Sequence, residues 1–419
     1  MSTDVTGIKQ RGLSLNVEDG PHIIISRPKR VLLVEPAYKV KYPPLGLMKI
    51  STYHKSRGDE VVFYKGTSAA IRDQKWDIIY ITTLFTFQWK RTIETIKFYQ
   101  RNKLKNDNIK VGGILASLLQ ADVESETGIT PHFGLWEEVD RLKPDYTLTN
   151  GVYEYYTNNT SIGYMTKGCV NHCHYCAVPK LEPNFIPFIP LEQQLDPNKK
   201  DLILLDNNVL ASPEFPSIVA GIKKHGFQKG ARFRNAYRYV DFNQGVDARL
   251  LNEDKMELLS QLALKPLRIA FDNIKLEELY IEKVRLAHKY GIRHLSNYIL
   301  FNFDDCAEDF YKRLRINIEL NEELGLSIFS FPMRYIPLDA KDRKYISPNW
   351  TRRQLRGIQC ILHATHGVVG PRRPFFEKAF GKDVGEFQHI IEQPEEAIFH
   401  RETMEPYEDH LAFSYNAQH

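Results

Sequence analysis

The sequence predicts an α/β protein with three parts. An N-terminal parallel sheet with helices on both faces is followed by a partial barrel of six strand–helix units and a C-terminal helical extension. Short apolar runs of strand length recur along the chain and alternate with stretches of helical period, the pattern of a parallel sheet. Gly, Pro and small polar residues gather at the ends of those runs, where ligands bind in such folds. Three of the five cysteines fall within eight residues, directly after the first apolar run of the second series.

Residues 1–27 are polar and aperiodic and read as a loose arm. The sheet follows over 28–150. Its first strand is the apolar run 31–34, of the kind that lies buried in a parallel sheet, and it ends at Glu35-Pro36. A turn through Pro43-Pro44-Leu45-Gly46 leads into a helix over 45–56 that closes at Gly58. Strands at 61–64 and 77–81 come next, then a helix over 89–104 and a last strand at 110–111 that meets Gly112-Gly113. The Pro-Pro-Leu-Gly turn, Thr82-Thr83 and Gly112-Gly113 all lie at carboxyl ends of strands.

The barrel occupies 158–340. Strands are expected at 161–166, 202–205, 240–246, 267–271, 298–303 and 328–336, with helices over 214–226, 253–263, 275–290 and 307–323. Chemistry in such a barrel sits at the carboxyl ends of its strands. The extension, 345–419, opens with a helix from Trp350 to about His366. Cys360, His363 and His366 fall three apart and share a face of it, which reads as packing on the barrel.

Composition narrows the function classes. The chain has 419 residues, 42% of them hydrophobic and 26% charged, which suits a soluble multi-domain protein. No apolar run approaches a membrane span, and the N-terminus has no secretory pattern. Five cysteines, mostly in one group, do not make a disulfide framework, so a reducing cytoplasm is expected. Net charge is only +4, but it is unevenly placed. Residues 221–240 hold six Lys/Arg and no acid, with Phe227, Phe233, Tyr237 and Tyr239 interleaved. Such a stretch could track a nucleic acid, hold an anionic small molecule, or be a solvated face, and the last is favoured. Arg372-Arg373 and the acidic tail after 381 are expected to pair or to edge the substrate opening.

The chemistry lies in Gly168-Cys169-Val170-Asn171-His172-Cys173-His174-Tyr175-Cys176. Thiolates select iron–sulfur clusters, Zn or Cu(I). Three thiolates hold three irons of a cubane where full protein ligation takes four, so the remaining iron is open to a ligand that is not protein. The competing reading is a Cys3His zinc site using His172 or His174. Zinc modules usually pair C-x2-C ligands, and no second pair exists here.

The spacing Cys169-x3-Cys173-x2-Cys176, with aromatic Tyr175 before the last Cys, resembles the signature of the radical S-adenosylmethionine (SAM) superfamily, and the resemblance covers most of the chain. It implies a [4Fe–4S] cluster on Cys169, Cys173 and Cys176, with the amino and carboxylate groups of SAM on the fourth iron. One-electron reduction, from a donor such as flavodoxin or ferredoxin, would release a 5′-deoxyadenosyl radical that abstracts hydrogen from a substrate the sequence does not identify. Carried over by strand position, SAM contacts fall on Tyr175 and on Asp206, Asn207 and Asn208, where relatives often bear Gly-Gly-Glu for the methionyl ammonium. Arg249 would hold the carboxylate, with an internal Asp247–Arg249 pair as the alternative. Asp272 would meet the ribose. Met333 would frame adenine, with core packing as the alternative. No residue facing the substrate radical is identified.

The first domain resembles the cobalamin-binding-type, Rossmann-like domain of many radical SAM enzymes, through Pro43-Pro44-Leu45-Gly46-Leu47 and Gly112-Gly113. The D-x-H-x-x-G of proteins that ligate cobalt through His is absent; the loop reads Glu35-Pro36-Ala37-Tyr38-Lys39-Val40. A domain that only shapes the active site is favoured over one that binds cobalamin. No auxiliary-cluster cysteines are present, unlike in the methylthiotransferases. Two alternatives therefore stand beside a radical SAM enzyme: a cobalamin-dependent radical methyltransferase, and a non-catalytic metal-cluster protein that binds nucleic acid through 221–240.

Overall fold

The structure is a computed structural model and describes residues 27–399 except 103 and 150. The expected loose arm and the end of the acidic tail lie outside the described residues.

Strands β1 (Arg30–Glu35), β2 (Glu60–Lys65), β3 (Ile78–Thr83) and β4 (Ile109–Gly113) form a parallel sheet in the order β2-β1-β3-β4. β1 is central because both of its faces are apolar, and Val31 to Val34 are fully buried. The helix Leu45–Lys55 starts directly after Pro43-Pro44, since Pro is tolerated where helical N–H groups have no partner. The helix Trp89–Tyr99 stops short of the expected 104. Beyond it the chain turns, and the Asn102 amide donates to the carbonyls of Arg72 and Gln74. Gly113 ends β4 with φ of +106°, and a Cβ there would stand 2.2 Å from the Thr83 carbonyl oxygen. Only glycine fits that crossing of strand ends.

The second unit is the expected open barrel. β5 (Thr160–Gly163), β6 (Asp201–Leu204) and β9 (Val240–Phe242) form one parallel half. β10 (Leu267–Arg268), β11 (His294–Phe301) and β12 (Ser327–Arg334) form the other. Parallel bridges Val240–Leu264 and Val246–Ile269 join the halves. Among the described residues β5 and β12 do not pair, so the barrel is open between them. A two-residue hairpin, β7 (Arg232–Phe233) with β8 (Ala236–Tyr237), sits in the basic segment.

β5 and β10 each end three residues short of expectation, and β9 and β11 differ more. β9 ends at Phe242, and the chain turns before the Val246 N–H rejoins the Arg268 carbonyl at 2.8 Å. β11 starts four residues early, at His294, where buried polar side chains hide the strand pattern. Ser296 accepts from Arg268 and Asn297 donates to Tyr280, while Asn297 Oδ1 has no partner among the described residues.

The main core lies between the barrel and the helices Phe215–Lys224, Glu253–Ser260 and Glu277–Lys289. A second core joins the helix Ala307–Leu324 to the C-terminal helices Arg352–Ala364, Arg373–Phe380 and Val384–Ile391. Cys360 is buried there. The first C-terminal helix ends before His366, which takes a left-handed φ of +53°, so the expected shared face of Cys360, His363 and His366 does not form. Arg373 pairs with Glu322 at 2.6 Å and Glu377 at 3.6 Å. In the basic segment Arg238 is structural: buried on the Phe227 ring at 3.6 Å, it donates to the carbonyls of Lys199, Lys200, His225 and Gly226. Among the described residues no helix is long and apolar enough to cross a membrane.

The two units meet through charge. Lys49 of the first helix is buried and donates to Tyr164 Oη (2.7 Å) and the Asp140 carbonyl. Lys167, just after β5, pairs with the Asp140 carboxylate at 2.5 Å. Burial pulls the Lys49 amine down to about 8.

Candidate cluster and cofactor site

The chain leaves β5 through Tyr164-Met165-Thr166 and enters the cysteine loop. An antiparallel bridge between Lys167 and Ile186 (3.1 and 2.9 Å) pins both ends of that loop. Gly168 makes the entry turn with φ of +71° and donates its N–H to Glu182 Oε2 at 2.8 Å. A Cβ there would stand 2.5 Å from the Asn184 carbonyl oxygen. The position before the first cysteine is therefore closed to any side chain.

All three thiols are free and partly exposed. Cys169 Sγ accepts from the Asn171 N–H (3.4 Å) and the Asn208 amide (3.5 Å), and Cys176 Sγ accepts from the Val178 N–H (3.5 Å). Such donors stabilise thiolate and tune a cluster that sulfur holds. Burial pushes the Cys176 thiol up, and the neighbouring Cys173 and Cys169 add to it. Ionising all three sulfurs together thus calls for a cation among them, which suits a metal cluster. Among the described residues no three His, Cys, Asp or Glu side chains converge as a single ion requires. A cubane places each thiolate on its own iron and needs no such convergence. His172 and His174 point to solvent and are exposed, so the Cys3His arrangement does not form.

The loop lies across the carboxyl ends of the strands. Asn171 donates to Asp247 Oδ2 (2.8 Å) beyond β9, and Asn208 beyond β6 reaches Cys169. Tyr175 donates its hydroxyl to Asp272 Oδ2 (2.9 Å) beyond β10 and sets its ring edge-on to Phe303, 5.4 Å away beyond β11. Burial raises the Asp272 carboxyl above its ordinary value. Asn207 donates to Glu182 (2.9 Å) at the loop's exit.

Asp206 is the junction. Fully buried, its Oδ1 accepts from the N–H groups of Met165 (2.9 Å) and Thr166 (2.5 Å) and from the Thr166 hydroxyl (2.7 Å). It thereby fixes β5 to β6 where the loop begins. Its Oδ2 and Asn208 Oδ1 are buried acceptors without a partner among the described residues. Burial pushes the Asp206 carboxyl up to about 6. Buried acceptors want donors, and an ammonium beside the loop fits this pair.

Arg249 takes the internal pair expected as its alternative. Its guanidinium makes a bidentate pair with Asp247 (2.8 and 2.8 Å), and that hydrogen bond raises its pKa. The Nε–Nη2 edge is thereby engaged. Met333, on β12 at the open mouth, is 50% exposed, so it is not core. Sequence reasoning missed Arg313. It is fully buried on the helix Ala307–Leu324, donates to the Phe271 and Asp272 carbonyls, and pairs with Asp305, which also accepts from the Trp350 indole. This network holds the end of β10 in place beneath Tyr175. An Arg within a helical period carries no signal that it points inward.

No protein-family model matches the chain, and no curated protein matches it in sequence. Among solved structures it is similar to the radical SAM methyltransferase TsrM from Kitasatospora setae with cobalamin and [4Fe–4S] cluster bound. That alignment covers 74% of this chain and 77% of TsrM, with a TM-score of 0.52 and 15% identity. TsrM with tryptophan substrate and the SAM analogue aza-SAM gives 0.51 and 15%, over 74% and 73%. The chain has the radical SAM fold. Residues 158–419 make up less than two thirds of the sequence, so the likeness extends to residues before 158. In the radical SAM fold of this chain, the three-cysteine loop occupies the mouth of the barrel, and Asp206, Asn208 and Asp272 surround it.

Proposed function

We propose that the protein is a radical SAM enzyme that abstracts hydrogen from a substrate still to be identified. One observation carries the reading: a loop of three thiols lies across the carboxyl ends of an open six-stranded barrel, beside two buried acceptors that have no donor. Cys169, Cys173 and Cys176 would hold a [4Fe–4S] cluster, and Asp206 Oδ2 with Asn208 Oδ1 would receive the ammonium of SAM. Asp272, held by Tyr175, is the candidate for a ribose hydroxyl. Arg249 enters only as the partner that keeps Asp247 on Asn171. Cluster and SAM together supply the one-electron cleavage that yields a 5′-deoxyadenosyl radical. The chain's part is to orient both and keep water away: Phe303 and Tyr175 cover the loop from the barrel side. A flavodoxin or ferredoxin in a reducing cytoplasm would serve as electron donor, consistent with five free cysteines.

A second reading has an observation of its own. A cavity of about 470 Å³ opens on the first sheet beside the helix Leu45–Lys55, with Ile81, Val111 and Trp136 among its walls and Gly112-Gly113 at its edge. A largely apolar cavity at strand ends is a ligand site, and TsrM carries cobalamin. Glu35, in the position of the first loop, is engaged by Tyr153 (2.6 Å) and Lys65 (3.7 Å) and is no cobalt ligand.

Product analysis tests both. Anaerobically reconstituted protein with dithionite and SAM should give 5′-deoxyadenosine, and a zinc-only protein that yields none would sink the first reading. S-adenosylhomocysteine formed only with added hydroxocobalamin would favour methyl transfer. Absence of any spectral shift of hydroxocobalamin on mixing would remove it.

A further inference from the structure

Inside the barrel, below the cysteine loop, lies a partly open chamber of about 230 Å³ that the reactions above do not use. An apolar cavity of about 150 Å³ already holds benzene, so this one suits a single ring with a substituent. Its walls are aromatic. Tyr42 and Tyr156 stand 4.7 Å apart, and Tyr298 and Phe331, on β11 and β12, stand 6.0 Å apart. Asn243 ties the two pairs together: its amide donates to Tyr42 Oη (2.9 Å) and its carbonyl accepts from Tyr298 Oη (3.0 Å). Tyr42 comes from the first unit, so the chamber is complete only with both units in place.

The charge in this chamber is asymmetric. Asp241 is taken by a bidentate pair with Arg268 (2.7 and 2.8 Å), whose guanidinium carbon lies 5.6 Å from both the Tyr298 and Phe331 rings. Asp201 is taken by Lys200 (2.6 Å) and the Tyr239 N–H (3.0 Å). Lys41 and Lys265 also line the chamber. Lys41 makes no ion pair among the described residues. Both carboxylates are thus paired before Lys41 is counted, so Lys41 brings an unmatched positive charge to the chamber. Aromatic walls with a surplus cation select a ring that bears negative charge. Tyr298 lies five residues before Phe303, roughly 15 Å along the strand, so a ligand here sits beneath whatever the mouth holds.

We propose that the chamber is a binding site for a small aromatic anion, a single ring carrying a carboxylate or a phosphate, separate from the site at the mouth. The binding claim stands on the chamber and does not rest on the function proposed above. Calorimetric titration of the reconstituted full chain with benzoate, phenyl phosphate, benzamide, acetate and inorganic phosphate tests it. Benzoate or phenyl phosphate should bind at least tenfold more tightly than the uncharged ring and than either anion without a ring; which of the two wins separates carboxylate from phosphate. Lys41→Ala and Tyr42→Ala should each weaken that binding about tenfold. Both residues are exposed, and thermal unfolding of each variant checks that it is folded. Equal affinity for benzoate and benzamide, no saturable binding of either charged ring, or binding unchanged in both variants overturns the inference. Iron content and SAM cleavage measured on the same samples report the proposed function separately. Cleavage without ring binding defeats this site alone, whereas ring binding without cleavage supports the site and removes the reaction.

Discussion

Replacing Asp206 with Ala removes the acceptor that three donors share at the β5–β6 junction: the N–H groups of Met165 and Thr166 and the Thr166 hydroxyl. A buried donor left unpaired costs about 1–3 kcal/mol, so the loss is roughly 2–6 kcal/mol if the hydroxyl can turn to another acceptor. An opposing effect comes from the carboxylate itself. Burial lifts its pKa from 3.8 to about 6, so the native state holds a proton that the unfolded chain has released. That contribution is greatest at low pH and fades as pH rises through 6, roughly 3 kcal/mol in all and about 1–1.5 kcal/mol between pH 5 and 7.5. Asp206→Ala should therefore lose roughly 1–4 kcal/mol at pH 5 and about 1–1.5 kcal/mol less at pH 7.5. Asp206→Asn keeps an oxygen acceptor and sheds the ionisation, so it should match or exceed the natural protein at pH 7.5 and lose the dependence between pH 5 and 7.5. Urea unfolding at the two pH values, followed by tryptophan fluorescence, reads both. At pH 5, Asp206→Ala as stable as the natural protein, or Asp206→Asn as unstable as Asp206→Ala, would refute the reasoning. Because Oδ2 is the proposed ammonium acceptor, Asp206→Asn should also bind SAM at least tenfold more weakly while staying folded.

Three further outcomes follow from the same geometry. Gly168→Ala forces a side chain into a left-handed turn, about 1–2 kcal/mol, and against the Asn184 carbonyl; reconstituted iron should fall to near background, and full iron would contradict the loop's geometry. Arg313→Leu leaves Asp305 buried without its cation, costing about 3–5 kcal/mol, and Asp305→Leu in the same chain should recover most of it in thermal unfolding; no recovery would mean the pair is not the source. For Lys49, burial sets the folded pKa at about 8 against 10.5, so the native state binds fewer protons between those values. Stability should rise with pH across that window by up to about 3 kcal/mol, and Lys49→Met should flatten the rise; an unchanged slope would place it elsewhere.

The apolar strands and the cysteine loop were legible because each has a local signature: buried parallel strands read as unbroken apolar runs, and the thiols carry their own spacing. β11 was misplaced because Ser296 and Asn297 look like loop residues until Arg268 and Tyr280 supply their partners. β9 was overextended because its turn before Val246 leaves the apolar pattern intact. Asp206 was legible by position, but its main task, holding Thr166, depends on a contact across forty residues of chain. Arg249 had two readings in sequence, and the side chain two residues away claimed it. Arg313 and the Tyr42–Asn243 link left no trace, since both join elements far apart in the chain through side chains of ordinary polarity. The chamber in the barrel was invisible for the same reason: its walls come from both units.

The account depends on one iron of a three-thiolate cluster being open to SAM. Electron paramagnetic resonance of the dithionite-reduced, reconstituted protein, recorded before and after adding SAM, tests that most directly. The spectrum should be that of a [4Fe–4S]⁺ cluster and should change on SAM addition, in the natural protein and in Cys306→Ala and Cys360→Ala, and be lost in Cys173→Ala. A cluster signal that SAM leaves unchanged, or one that survives Cys173→Ala, would contradict the assignment of the loop.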